Sequence, residues 1–295
     1  MKHILFLFTA SLLLLACSDD DENQQSEEQN TFKIKKLSKT FYIEDGTSYR
    51  LDYLYDESGK ITKWVHDYYN DGTITHDDYL YNDRGQILES KTTNINENRI
   101  TRTISYVYDV SNRISTITYL SADGSINTSH FSYENNTVFV IDDLGGNKKL
   151  SFNETGKLLN TVSSGNGNDP LNGTTTETIN YTGNLVTSIH YEYSGGSISS
   201  KSYIYEYDNK TNPFFENFKN NINNYIYNFN GSMKSFKTDF SVNNFKKVKH
   251  SASVPAPSLN YTEVFTTQYN EQGFPTSAEV KRNDVLFEEL TYEYY

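Results

Sequence analysis

A nine-residue pattern, Tyr53-Leu54-Tyr55-Asp56-Glu57-Ser58-Gly59-Lys60-Ile61, recurs as Tyr79-Leu80-Tyr81-Asn82-Asp83-Arg84-Gly85-Gln86-Ile87 and as Tyr106-Val107-Tyr108-Asp109-Val110-Ser111-Asn112-Arg113-Ile114. Tyr55 and Tyr81 lie 26 residues apart, and Tyr81 and Tyr108 27. Weaker copies begin at Phe152, Tyr207 and Tyr269. Each copy imposes a chain reversal. Asp or Asn after the Tyr accepts bonds from the backbone of a tight turn. Gly three positions later, or Asn112, supplies the left-handed residue that closes a hairpin with a bulge. Further turn signals at Asp71-Gly72, Asn96-Glu97-Asn98 and Asp123-Gly124 fall between the copies. The backbone therefore reverses about every 13 residues, alternating strand and turn.

The residues available for burial suit that geometry. The chain has 25 Tyr and 17 Phe against 2 Met and 1 Trp. Aromatic and β-branched side chains fit a pleated, half-wet surface. The expected fold is mainly β: one large antiparallel meander sheet of tandem hairpins with one or two short helices.

Taking Tyr55 opposite Lys60, and Asp71-Gly72 as the central pair of the next turn, sorts the first two hairpins into faces. Tyr49, Leu51, Tyr53, Tyr55, Trp64, Tyr68, Tyr79 and Tyr81 share one. Arg50, Asp52, Leu54, Ile61, Lys63, Val65, Asp67 and Asp78 share the other.

Asn212-Pro213-Phe214-Phe215-Glu216 has a capping Asn, Pro at the first helical position and Glu in the first turn. Phe214, Phe215, Phe218 and Ile222 form one stripe, so a short core-covering helix is expected over 213–224. Residues 225–257 show no clear period, and helical insertion is expected near 213–250. Tyr261 to Tyr269, Ala278 to Arg282 and Leu286 to Tyr294 read as closing strands. No linker separates these segments, so 31–295 reads as a single domain.

The amino end states an address. Lys2 precedes an apolar run from Ile4 to Leu15, which is too short to span a bilayer and fits a signal peptide. The run ends in Leu14-Leu15-Ala16-Cys17 and carries the only cysteine. This resembles the lipobox of bacterial lipoproteins, in which the Cys becomes the lipidated first residue. The resemblance implies a signal peptide over 1–16, lipidation of Cys17 and a membrane anchor.

Residues 17–30 contain SDDDENQQSEEQN after the Cys and no apolar side chain beyond it, which predicts a solvated tether. The acidic cluster Asp19, Asp20, Asp21 and Glu22 resembles the export tag of surface lipoproteins in Bacteroidota-type bacteria. It implies an outer-membrane protein facing outward.

The repeats themselves resemble the YD repeats of Rhs-type proteins, whose copies run Tyr-x-Tyr-Asp-x-x-Gly-Arg and form long antiparallel sheets. They are also similar to Bacteroidota lipoproteins built from degenerate versions of that hairpin. The likeness is good over Tyr49 to Ile117. It departs where Lys60, Gln86 and Lys157 replace Arg and where Asn112 replaces Gly. The motif specifies hairpin geometry, so it implies architecture rather than an activity.

Charge and chemistry narrow the function. Without Lys2 the chain holds 25 basic and 38 acidic residues, a net charge of −13, which disfavours nucleic acid as a partner. With Cys17 committed to lipid, no disulfide or thiolate metal site is available, and no cofactor is expected. His66-Asp67 and His76-Asp77-Asp78 lie on two arms of one hairpin. Asp67 is expected across from His76 and His66 across from Asp77, which suits cross-strand ion pairing better than a metal site.

Asp142-Asp143 and Glu288-Glu289 are adjacent residues that alternate faces, an arrangement that does not make a carboxylate pair for hydrolysis. No Gly-x-Ser-x-Gly elbow exists, and Gly145-Gly146 and Gly195-Gly196 read as turns. The expected role is a non-enzymatic binding or interaction module. One form of it is a glycan platform made by Tyr49, Tyr53, Tyr55, Trp64, Tyr68, Tyr79 and Tyr81. The other is docking of an envelope protein along a free sheet edge at Leu286 to Tyr294. A carboxylate hydrolase is a third possibility.

Overall fold

The computed structural model describes residues 33–42, 48–68, 72–164, 173–194, 199–215, 222–229, 241–254 and 259–295. Cys17 and the 17–30 tether lie outside the described residues.

Phe32–Tyr295 is one compact unit. Its strands are Ile34–Tyr42 (β1), Ser48–Tyr55 (β2), Ile61–Tyr68 (β3), Thr73–Tyr81 (β4), Ile87–Asn94 (β5), Arg99–Tyr108 (β6), Ile114–Ser121 (β7), Ile126–Glu134 (β8) and Thr137–Asp142 (β9). There follow Asn147–Phe152 (β10), Leu158–Ser164 (β11), Thr174–Thr182 (β12), Leu185–Tyr193 (β13), Ser200–Thr211 (β14), Asn243–Ala252 (β15), Tyr261–Tyr269 (β16), Pro275–Arg282 (β17) and Val285–Tyr294 (β18). The α-helix α1, Ile222–Phe229, lies between β14 and β15. Of the helix expected over 213–224, Phe215 is helical, 216–221 lie outside the described residues, and Ile222 to Asn224 belong to α1. Asn212 does open a turn as a cap, its Oδ1 accepting from the Phe214 amide at 3.0 Å.

Every strand pairs antiparallel with its sequence neighbours, and β1 pairs with β18, from Ile34 opposite Tyr294 to Phe41 opposite Glu288. The open meander inferred from sequence is therefore closed into an 18-stranded up-and-down barrel. Closure removes both edges, which would otherwise expose unpaired backbone groups. The expected free edge at Leu286 to Tyr294 does not exist, because β18 is paired on both sides.

The hairpin turns carry the predicted chemistry. Asp56 Oδ1 accepts from the amides of Ser58 and Lys60 at 2.8 and 3.0 Å, and Asn82 and Asp109 repeat the arrangement. Gly59 sits at φ 83° and Asn112 at φ 61°, the left-handed conformation the turn requires.

The pairing differs from the simple register by two residues: Tyr53 faces Trp64, and Trp64 faces Asp77. A slip of two preserves parity, so the aromatic residues keep a common face. A bulge beside Tyr55, with Thr62 as the extra residue, brings Ile61 opposite Tyr55 and into the core.

That shared face points inward. Tyr53, Trp64, Ile104, Ile117, Val138, Leu150, Ile179, Ala278 and Leu290 belong to one buried cluster fed from around the ring. A ring of this strand number can hold an aqueous channel when its lining is polar. Here side chains fill it.

Even-to-odd hairpins all fall at one end, and residues from the β14–β15 connection pack there. Phe214 lies 5.9 Å from Tyr55 and 6.5 Å from Tyr292, ring to ring. Tyr227 of α1 meets Tyr106 edge-on at 5.4 Å. Ser241 Oγ accepts from the Val186 amide at 3.1 Å. These contacts plug one end of the barrel.

The outer wall mixes ion pairs with exposed apolar side chains such as Leu80, Val107 and Ile204. Lys36 pairs with Asp52 and Lys63 with Asp78, each at 3.1 Å, and Lys91 pairs with Glu89 at 2.5 Å. A transmembrane barrel presents an apolar band to lipid, and each charge facing hydrocarbon costs about 2–4 kcal/mol at mid-depth. The ion pairs of this wall would carry that cost in lipid.

Candidate functional site

The tyrosines of the repeat have two separable duties. On several strands the Tyr that precedes a repeat turn reaches back to the strand that opens after the preceding one, whereas Tyr269 donates to Asp208. Tyr81 donates to the Ile61 carbonyl, Tyr108 to Ile87, Tyr133 to Ile114 and Tyr207 to Val186, each at 2.6 Å. Tyr181 and Tyr294 do the same to Leu158 and Pro275. The cation after the turn Gly or Asn lies over the same ring: Lys60 over Tyr81, Arg113 over Tyr133 and Lys157 over Tyr181. Consecutive repeats are thus interlocked by a hydrogen bond and a cation–π contact. The spacing between motifs held the signal for this interlock, but a single-strand reading does not show which repeat each Tyr serves.

The seven residues of the expected aromatic platform divide by depth. Tyr53, Tyr55 and Trp64 are buried, at 2, 7 and 9% exposure, and Tyr79 and Tyr81 pack against the core. Tyr49 is half-buried and Tyr68 is 42% exposed, both at the end opposite the plug. The rings still form one row. Tyr53 stacks on Trp64 at 5.4 Å, Trp64 meets His66 at 3.8 Å, and Tyr68 stacks on Tyr49 at 6.1 Å. Phe41 continues the row, 4.5 Å from Tyr49. The platform reduces to a rim of Phe41, Tyr49 and Tyr68 on β1, β2 and β3.

The His/Asp hairpin is split by the barrel wall. His76 pairs outside with Asp78 at 2.7 Å, while His66 pairs inside with Asp77 at 3.7 Å. His76 faces Val65, and Asp67 faces Ile74. Asp77 is buried and also accepts from the Thr92 hydroxyl, with Arg102 Nη2 at 3.9 Å. Burial pushes its carboxyl up, but the bonds from His66 and Thr92 and the charge of Arg102 outweigh this and hold it below the ordinary Asp value. Among the described residues, no three His, Cys, Asp or Glu side chains gather in metal-binding geometry.

The other carboxylate pairs also separate. Asp142 is consumed by a turn, accepting from the Leu144 and Gly146 amides at 2.9 Å, and Asp143 faces His130 outside. Glu289 receives the Tyr42 hydroxyl, whereas Glu288 points into the barrel.

A second inward polar group was not legible from the sequence because its partners come from β15 to β17. Glu263 is held by His250 at 3.1 Å and by Arg282 at 2.8 Å. Arg282 also lies over the Tyr261 and Phe287 rings at 4.1 and 3.6 Å. Burial again pushes Glu263 up, and these two partners hold it below the ordinary Glu value.

No protein-family model and no curated sequence matches the chain. Among solved structures, it is similar to a porin-like protein from Bacteroides uniformis ATCC 8492 at TM-score 0.46 and 13% identity, over 89% of this chain and 98% of that one. It is similar to a porin-like protein from Bacteroides vulgatus ATCC 8482 at TM-score 0.38 and 12% identity, over 90% and 99%. It also matches the TcdB2-TccC3-Cdc42 structure at TM-score 0.32 and 10% identity, over 88% of this chain and 16% of that chain.

Proposed function

We propose that this protein is an outer-membrane lipoprotein, anchored through Cys17, that holds a water-facing barrel at the cell surface as a non-enzymatic binding module, with glycans as its ligand class. The observation that supports it most is the placement of the two barrel ends. The Tyr295 amide donates to the Lys33 carbonyl at 3.1 Å, and the Tyr295 hydroxyl donates to Tyr55 O at 2.6 Å. The chain therefore enters β1 at the plugged end, and an anchor preceding Lys33 pulls on that end. The rim of Phe41, Tyr49 and Tyr68 lies at the other end. Aromatic faces of this kind stack on sugar rings, and the Tyr hydroxyls can bond to sugar hydroxyls.

Two measurements test the reading. Cys17→Ser is expected to release the protein from the membrane fraction and abolish incorporation of labelled fatty acid. A glycan array probed with the native chain is expected to show binding that Tyr68→Ala weakens. Retention of the Cys17→Ser protein in the membrane would defeat the anchor. An array without hits would defeat the ligand class.

A further inference from the structure

Inside the barrel, next to the plug, lies a cavity of about 170 Å³. Its apolar walls come from Phe214 of the plug and from Phe245, Phe265 and Tyr292 of the barrel. Its polar groups include Lys39 and Glu288. Phe245, Phe265 and Thr267 also line an adjoining cleft of about 550 Å³, whose other walls include Tyr207, Asp208, Lys246 and Tyr269. The cavity thus adjoins a larger and more open recess on the β14–β16 side. At its other end the cavity reaches toward the rim, because Glu288 is the cross-strand partner of Phe41 and its charge acts on the Tyr49 phenol.

Glu288 sets the chemistry. Its nearest cation is Lys39 Nζ, at 3.9 Å, which is beyond hydrogen-bond reach, and Arg282 acts on it only through space. The neighbouring Glu263 is already occupied by His250 and Arg282. A largely buried carboxylate without a donor is costly, and a ligand that brings hydroxyl donors removes that cost. Burial also pushes the Glu288 carboxyl above the ordinary Glu value, against the pull of Lys39, as expected of an under-solvated acid.

Charge decides between two ligand types that favour aromatic walls. A quaternary ammonium suits an aromatic cage with a carboxylate, but Lys39 already supplies the cation here and would repel a second. A neutral polyol can donate to Glu288, accept from Lys39 and lay its C–H faces on Phe245 and Phe265. The volume is below the roughly 300–1,000 Å³ of drug-sized pockets, so the inner cavity takes one ring and the cleft takes what is attached to it.

We propose that this cavity is a second saccharide subsite, in which Glu288 and Lys39 bind the hydroxyls of a single neutral sugar ring laid against the contiguous Phe245 and Phe265 rings. It shares a ligand class with the proposed function but uses different residues, so the two can fail separately.

The test titrates the full chain with glucose, galactose, N-acetylglucosamine and tetramethylammonium, using saturation-transfer NMR and calorimetry. At least one sugar is expected to bind saturably in the millimolar range. Glu288→Gln keeps the side-chain shape and is expected to weaken binding about tenfold, the equivalent of a charged hydrogen bond of roughly 1.4 kcal/mol. Phe265→Leu is expected to weaken it too. Thermal melts establish that each variant is folded.

Absence of saturable sugar binding, equal binding by Glu288→Gln, or preference for tetramethylammonium would overturn the subsite. If glycan binding depends on Tyr68 and not on Glu288, the rim stands and the cavity falls. Dependence on Glu288 alone gives the reverse.

Discussion

The hydroxyl of Tyr81 donates to the main-chain carbonyl of Ile61 at 2.6 Å, tying the second repeat to the first across two strands. Two positions earlier on the same strand, the Tyr79 hydroxyl is buried and has no hydrogen-bond partner among the described residues. One motif therefore holds a bonded phenol and an unbonded one. Tyr81→Phe is expected to cost about 1 kcal/mol, because it orphans the Ile61 carbonyl. Tyr79→Phe removes only an unsatisfied group and is expected to be neutral or stabilising. Urea unfolding of the two variants measures the difference.

One of the plug's fastenings is a single amide side chain. Asn223 Nδ2 donates to the Asn112 carbonyl at 3.0 Å, and Asn223 Oδ1 accepts from the Ile114 amide at 3.2 Å. Asn223→Ala strands a buried donor at the start of β7 and is expected to cost about 1–3 kcal/mol. Protease cleavage within the β14–β15 connection should accelerate more than cleavage elsewhere, since the loss falls on the plug.

Gly124 isolates backbone strain from packing. It sits at φ 83°, and a Cβ placed on it would meet no atom within 4 Å. Gly124→Ala is therefore expected to destabilise by about 1–2 kcal/mol through conformation alone. A loss of that size in urea, with an unchanged m-value, checks it.

Two inward carboxylates should give opposite pH signatures. Asp77 is held below its ordinary value of 3.8, so its contribution is fully present above 3.8 and is lost as pH falls through its folded value. Asp77→Asn is expected to lower stability at neutral pH and to flatten the acid limb. Glu288 is raised above 4.5, so it favours the folded state below 4.5 and loses that contribution as pH rises through its folded value. Glu288→Gln is expected to be more stable than the native chain at neutral pH, with the gap closing below 4.5. Urea midpoints across the pH range test both signs.

What the sequence disclosed follows from the range of each interaction. The turns at Asp56, Asn82 and Asp109 were legible because the accepting side chain and its amide donors lie within four residues of each other. The faces were legible because the true register differs from the simple one by two, which leaves parity intact. Thr62 gave no sign that it was the extra residue of a bulge, so Ile61 was assigned to the outer face.

Longer-range features left weaker marks. β15 reads NNFKKVKHSA, with Val248 its only buried residue, and so shows little apolar alternation. The alternation of Glu288 and Glu289 was legible, but the cavity around Glu288 was not, because Lys39, Phe245 and Phe265 come from three other strands. Closure was hidden for the same reason. Nothing local to Ile34–Tyr42 or Val285–Tyr294 records that the two ends of the chain meet.

That meeting is the claim on which the outward ion pairs, the filled interior and the plugged end all depend. Cysteines at Ser38 and Thr291, which face each other across β1 and β18, test it in a Cys17→Ser background, with Leu54→Cys and Lys63→Cys on the paired strands β2 and β3 as control. Antiparallel partners stand about 4.5–5.5 Å apart at Cα, within disulfide range. A closed barrel predicts an intramolecular Ser38–Thr291 bridge in monomer as readily as the control. A control bridge without the terminal one would show an open sheet and contradict the account.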